Sequence, residues 1–258
     1  MDTSKEQRAA VQRIYNRDSD YYITSTPHAR SNSLTRAFEV LRPEGGVLLD
    51  VATGAGHTAF KMAEGCRKVI ASDLTRGMIA SARKLAAEKK VGNALFLRVD
   101  SENLGFRDGA LDYVSVRIAP HHFADVQRFL REVARVLKPG GKLMYVDNVA
   151  PEEPREAAAY NHFEKVRDPS HNRCDTVPAL VEMMEAAGLR ILHCETLRKK
   201  MAMDEWTNRP HLDAKAKGEL RAFLGNASPA IRHWLAPREE EGRFVFDEIE
   251  AVVLAQRP

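Results

Sequence analysis

Apolar positions along the chain follow two alternating rhythms. Short apolar runs of strand length occur at 47–51, 68–72, 95–99, 111–117 and 143–146. Between them the spacing changes to that of a helix. Residues 58–63 form a short helical stretch, and residues 75–90 place Met78, Ala82 and Leu85 on one face with Thr75 as a cap. Residues 125–138 give the clearest stripe: Val126, Phe129, Leu130, Val133, Val136 and Leu137 share a face. Asp125 starts that helix and Pro139-Gly140-Gly141 stops it.

Two amphipathic helices are expected before this region, over 4–16 and 34–41, with Pro43 and Gly45-Gly46 ending the second. After residue 150 the rhythm breaks. Helices are expected over 155–167 and 177–187, a strand over 189–197, a helical and looped stretch over 204–235, and a strand over 243–256. Strands that alternate with crossover helices require an α/β fold with a parallel sheet covered on both faces. Such sheets take ligands at the carboxyl ends of their strands. Asp50, Asp73, Asp100 and Asp147 each close one of the predicted strands.

The totals narrow the function classes. The chain has 258 residues, 44% hydrophobic and 29% charged, with a formal charge of +3. Near-balanced charge gives no electrostatic case for nucleic acid as partner. The one short basic cluster, Arg198-Lys199-Lys200, reads as a solvated strand end. No apolar run reaches the roughly 20 residues that span a bilayer. The N-terminal residues lack the apolar segment of a secretory signal. Three cysteines without a C-x-x-C pair argue for reduced thiols, so a cytoplasmic protein is expected. His171 with Cys174, and His193 with Cys194, match no standard ligand spacing, and no metal is expected.

The chemistry concentrates in Asp50-Val51-Ala52-Thr53-Gly54-Ala55-Gly56-His57, between a strand and a helix. Glycines there let backbone amides approach a ligand, and the helix start supplies unpaired N–H groups. Gly54-x-Gly56-x-x-Ala59 by itself also fits a dinucleotide fingerprint. Asp50 before the loop suits a ligand with a cationic end better than a pyrophosphate. Asp73 stands where a carboxylate grips two ribose hydroxyls, with Leu74 beside it to pack on an adenine. Asp100-Ser101 closes the third strand, where a carboxylate and a backbone N–H read an adenine edge.

These segments, with Asp73-Leu74-Thr75, Asp100-Ser101-Glu102-Asn103-Leu104-Gly105-Phe106 and Leu137-Lys138-Pro139-Gly140-Gly141, resemble the successive motifs of class I S-adenosylmethionine (SAM)-dependent methyltransferases. Within them the chain is similar to the ubiquinone/menaquinone-biosynthesis group, strongly over about 20–150. The resemblance implies a Rossmann-like, doubly wound, mostly parallel seven-stranded sheet with an antiparallel C-terminal strand and helical lid insertions. It implies one domain over 1–258, with a helical cover at 1–45, a SAM-binding core at 46–150, and substrate lids at 151–175 and 200–238. SAM is the implied cofactor, with Ala52, Thr53, His57 and Met78 joining the residues above around it. Ala52 replaces the first glycine of the family motif and Thr53 a frequent cysteine.

The Arg117-Ile118-Ala119-Pro120-His121-His122-Phe123 segment corresponds to the place that faces the transferred methyl in that family. Arg117 suits the methionine carboxylate or a substrate anion, and His121 or His122 suits proton removal from the acceptor. Asn161, Glu164, Arg167 and Asp168 share a helix face, followed by His171, and with Asp147 they are candidates for a polar small-molecule acceptor. Tyr22 and His28 lie in a segment that folds over the cofactor in related enzymes. Two other readings stay open from the residues: a nicotinamide oxidoreductase using the same glycines, and a SAM-binding protein without transferase activity.

Overall fold

The computed structural model describes residues 3–17, 31–209 and 211–258. Eight strands form one sheet: β1 Val47–Val51, β2 Lys68–Asp73, β3 Ala94–Arg98, β4 Leu111–Arg117, β5 Leu137–Asn148, β6 Arg190–Ala202, β7 Arg238–Glu240 and β8 Arg243–Gln256. Their order is β3-β2-β1-β4-β5-β8-β6, with short β7 paired to β8. The first five strands run parallel, and β8 lies antiparallel to both β5 and β6. The mostly parallel sheet with antiparallel pairing at its C-terminal end follows the expectation, and the β7–β8 hairpin adds an eighth strand to the seven.

Helices flank the sheet: α1 Thr3–Arg17, α2 Asn32–Leu41, α3 His57–Met62, α4 Arg76–Lys89, α5 Val126–Val136, α6 Pro154–Arg167 and α7 Val177–Ala186. Three more, α8 Met203–Trp206, α9 Ala214–Asn226 and α10 Pro229–Leu235, fill the stretch between β6 and β7. Caps sit where the side chains allow them: Asp125 Oδ1 accepts from Arg128 N at 2.8 Å, and Thr75 and Thr176 cap α4 and α7 in the same way. The stripe Phe129, Leu130, Val133 and Val136 of α5 is fully buried against one face of the sheet. Ala37, Leu41, Ala59, Met62, Met78 and Ala82, from α2 to α4, bury against the other.

A third apolar cluster anchors the later helices on β8. Tyr160 and Phe163 of α6, Trp206 of α8 and Phe246 of β8 are all 2% exposed or less. Phe163 stacks on Trp206 at 4.8 Å between centroids, and Phe246 meets Trp206 edge-on at 4.9 Å. Burying each such ring stabilises by roughly 1.5–3 kcal/mol, enough to fasten an insertion to its strand.

The boundary between α5 and β5 differs from the sequence expectation, and β6 runs on to Ala202 beyond the expected 197. The helix expected through 138 ends at Val136, and β5 begins at Leu137, which pairs with Leu111. Pro139-Gly140-Gly141 therefore lies inside the strand as a bulge. Gly140 takes φ +79°, and its N–H donates to Arg257 O at 2.8 Å, so the ladder continues past the irregularity.

Candidate functional site

The carboxyl ends of the parallel strands open onto a cavity of about 470 Å³. Its floor begins at the turn after β1. Ala52 and Gly54 both adopt left-handed backbone, at φ +52° and +55°, which reverses the chain from strand into α3. Ala52 accepts the strain that a glycine would avoid, on the order of 1–2 kcal/mol. Asp50 holds this turn from beneath. Its carboxylate accepts from Thr53 Oγ1 and from Ser115 Oγ, each at 2.6 Å, and burial raises its pKa to about 6. Asp50 does not line the cavity, and its carboxylate holds the loop that does. Gly56 also lies behind the lining, at φ +95°, where a Cβ would come within 2.4 Å of Phe60.

Ala52, Thr53, Gly54 and His57 line one wall. Asp73, Leu74 and Met78 line the next, with Asp100 and Ser101 beyond them. Asp73 accepts from Gly54 N at 3.1 Å and from Thr75 N and Oγ1 at 2.9 Å, tying the glycine loop to the end of β2. Burial raises its pKa against those hydrogen bonds. The expected adenosyl group fits this half: a Cβ on Gly54 would meet no protein atom within 4 Å, and carboxylates stand at the ends of β2 and β3.

The segment after β4 turns over the cavity. Ile118, a β-branched residue, is held at φ +52°, a costly conformation that breaks the strand's course. A 3₁₀ turn over Pro120–His122 follows and sets both histidines on the lining. Arg117 lines the cavity too, donating from Nε to Thr58 Oγ1 and from Nη1 to Ser31 Oγ, both at 2.9 Å.

The two histidines are wired differently. Asp147 at the end of β5 reaches His121 Nδ1 at 2.6 Å. A carboxylate only accepts there, so Nδ1 carries the proton and Nε2 keeps its lone pair. Among the described residues nothing hydrogen-bonds that Nε2. Burial would lower the pKa of His121, but the charge and hydrogen bond of Asp147 carry it above the ordinary value. His122 Nδ1 faces Ser170 O at 3.0 Å, which makes Nδ1 a donor, and Nε2 then accepts from Tyr15 Oη at 2.6 Å. Both of its nitrogens are used, and burial with the neighbouring His121 lowers its pKa to about 4.

The α6 residues divide. Arg167 lines the cavity, with its guanidinium 4.9 Å above the Trp206 ring. Asn161, Glu164 and His171 do not. Asn161 Oδ1 accepts from Cys174 N and meets His171 Nε2 at 2.8 Å, so this pair pins the loop after α6. Glu164 is buried at 3% exposure, and burial and the nearby Glu248 raise its pKa. Asp147 likewise reaches the cavity only through His121. Tyr22 and His28 lie outside the described residues.

Several lining residues escaped the sequence reading. Arg8 of α1 donates to Glu102 at 2.9 Å and Tyr15 meets His122, so α1 closes one side. Lys199, expected in a solvated strand end, is instead only 14% exposed in its side chain, between Glu248 at 3.3 Å and Glu250 at 3.1 Å. Strand alternation explains this: Lys199 faces inward, while Arg198 and Lys200 point away to Asp247 and Glu240.

Comparison with known proteins gives a consistent set of relatives. The family described as "Methyltransferase domain" matches residues 49–145. The uncharacterized methyltransferase YcgJ of Bacillus subtilis is 35% identical over 185 residues, covering 72% of this chain and 73% of that protein. Its solved structure superposes with a TM-score of 0.82 at 30% identity, over 87% of this chain and 97% of that one. Demethylmenaquinone methyltransferase of Thermus thermophilus is 34% identical, over 46% of this chain and 55% of that protein.

Proposed function

The chain belongs to the SAM-dependent methyltransferase family, and on that premise we propose that it methylates a small-molecule acceptor with His121 as the base. The family membership replaces the nicotinamide reading that the glycines alone left open. Bound SAM supplies a methyl carbon made electrophilic by its sulfonium. The chain's own residues then have three tasks. The loop at Ala52–Gly54 with Asp73, Leu74 and Asp100 holds the nucleoside. Arg117 offers positive charge for the amino-acid carboxylate. His121 takes the acceptor's proton at Nε2.

The observation that carries the base assignment is the 2.6 Å contact of Asp147 with Nδ1, which leaves Nε2 as the proton acceptor. The concave cavity supports a small molecule over a nucleic acid. The three cysteines are free, which supports a cytoplasmic setting. No helix among the described residues is long and apolar enough to cross a membrane. The helices over 151–175 and 200–238 serve as covers of the acceptor half. Transfer of tritiated methyl from SAM by the native chain and by His121→Ala tests the reading: loss of transfer with retained SAM binding supports it, and undiminished transfer refutes it.

A further inference from the structure

Beyond the histidines the cavity has a polar floor. Asn148 and Glu250 face each other across the β5–β8 ladder, and both line the cavity. They are 6% and 1% exposed. Among the described residues neither the Oδ1 nor the amide nitrogen of Asn148 has a hydrogen-bond partner. Glu250 is paired by charge: its Oε1 lies 3.1 Å from Lys199 Nζ. Buried polar atoms are satisfied in nearly all native proteins, and leaving the Asn148 amide unsatisfied beside a buried carboxylate is costly. The cost is recovered when a ligand donates to them.

We propose that Asn148 and Glu250 form the acceptor subsite and bind a small hydrophilic molecule through its own N–H or O–H groups. The inference rests on the methyltransferase reading and names the acceptor class for that site. Charge on the same floor points the same way. Lys199 and Glu248 stand beside the pair, and Arg117 lies close enough to Glu250 for its charge to be felt. An apolar acceptor would strip water from all of them and return no hydrogen bonds. A polar acceptor replaces that water directly. The position is also suitable for the chemistry. Asn148 follows Asp147 on β5, and Asp147 holds His121, so one strand end carries both a subsite residue and the partner of the base.

The full chain is first titrated calorimetrically with S-adenosylhomocysteine. Absence of binding overturns the methyltransferase reading and this inference with it. Transfer of tritiated methyl from SAM is then measured with ethanolamine, glycine, catechol and dopamine, and with 1,4-naphthoquinol as the apolar comparison. The expected result is transfer to members of the hydrophilic set. Asn148→Leu and Glu250→Gln then each raise KM by about tenfold or more, with S-adenosylhomocysteine affinity unchanged and thermal melting near the native value. Transfer to the naphthoquinol alone, or to neither class, overturns the subsite while bound S-adenosylhomocysteine leaves the family reading intact. Variants whose KM for the hydrophilic acceptor is unchanged also overturn it.

Discussion

Asp147 grips His121 at two points, with Oδ1 2.6 Å from the ring Nδ1 and Oδ2 accepting from the backbone N–H at 2.7 Å. One carboxylate thus sets both the position of the turn and the tautomer of the ring. Removing the ring should lower kcat on the order of a hundredfold, the usual contribution of a positioned base. SAM affinity should stay within twofold, since His121 lies beyond the nucleoside half. Steady-state rates with calorimetry on His121→Ala check both, and a parallel fall in affinity would mark the residue as structural.

The same pair fixes the pH profile. Only neutral His121 accepts a proton, and its folded pKa is raised, so the rate should climb with pH through a midpoint above about 6.5. Asp147→Asn removes the stabilising charge and should move that midpoint down. The pair's stability contribution has the opposite course: it is complete below the unfolded value and fades as pH rises through the folded one. Rate profiles of both proteins between pH 5 and 9 test this: the Asp147→Asn midpoint should lie below the native one, and coincident midpoints would remove Asp147 from the account.

His122 titrates in the other direction. Its folded pKa is lowered to about 4, so its neutral burial stabilises the fold above pH 6.5 or so and that stability disappears as pH falls towards 4. The difference corresponds to about 3 kcal/mol when fully expressed. Denaturant midpoints at pH 7.5 and pH 5 should show His122→Phe losing less stability on acidification than the native chain. An equal acid loss in the two proteins would remove His122 from the account.

Gly56→Ala tests the turn. Its φ of +95° disfavours any side chain, and the new Cβ would sit 2.4 Å from the Phe60 ring. Strain and overlap together should cost about 2 kcal/mol or more and displace the loop that carries Gly54. Urea midpoints and S-adenosylhomocysteine titration should both register the change.

Asp73→Asn tests the tie between loop and strand. The amide keeps one acceptor oxygen but loses the charge and cannot accept at both Gly54 N and Thr75 N in the present arrangement. S-adenosylhomocysteine affinity should fall by about tenfold to a hundredfold, the worth of charged hydrogen bonds. Unchanged affinity by calorimetry would place the nucleoside elsewhere.

The centre of the sheet was legible in the chain because β1, β2 and β4 are largely buried and read as short, mostly apolar runs. The glycine turn and the acids at strand ends were legible for a similar reason: they are local in sequence. What stayed hidden depends on residues far apart. Tyr15 and His122 are separated by 107 positions, and no periodicity links them. The shared face of Asn161, Glu164 and Arg167 was visible, but not that only Arg167 reaches the cavity. Lys199 carried a usable signal, because β6 runs to Ala202 and its alternation separates Lys199 from its basic neighbours.

Helix α1 has no fully buried side chain among those described, yet it spans the rim of the cavity. Its grip is polar: Gln7 donates to His122 O at 3.0 Å, Arg8 to Glu102 at 2.9 Å, and Asn16 accepts from Gly77 N at 3.0 Å. Such an element detaches at far lower free energy than the strands beneath it. Nucleoside exchange can therefore proceed without disturbing the sheet, and added salt, by weakening the Arg8 pairing, should quicken it.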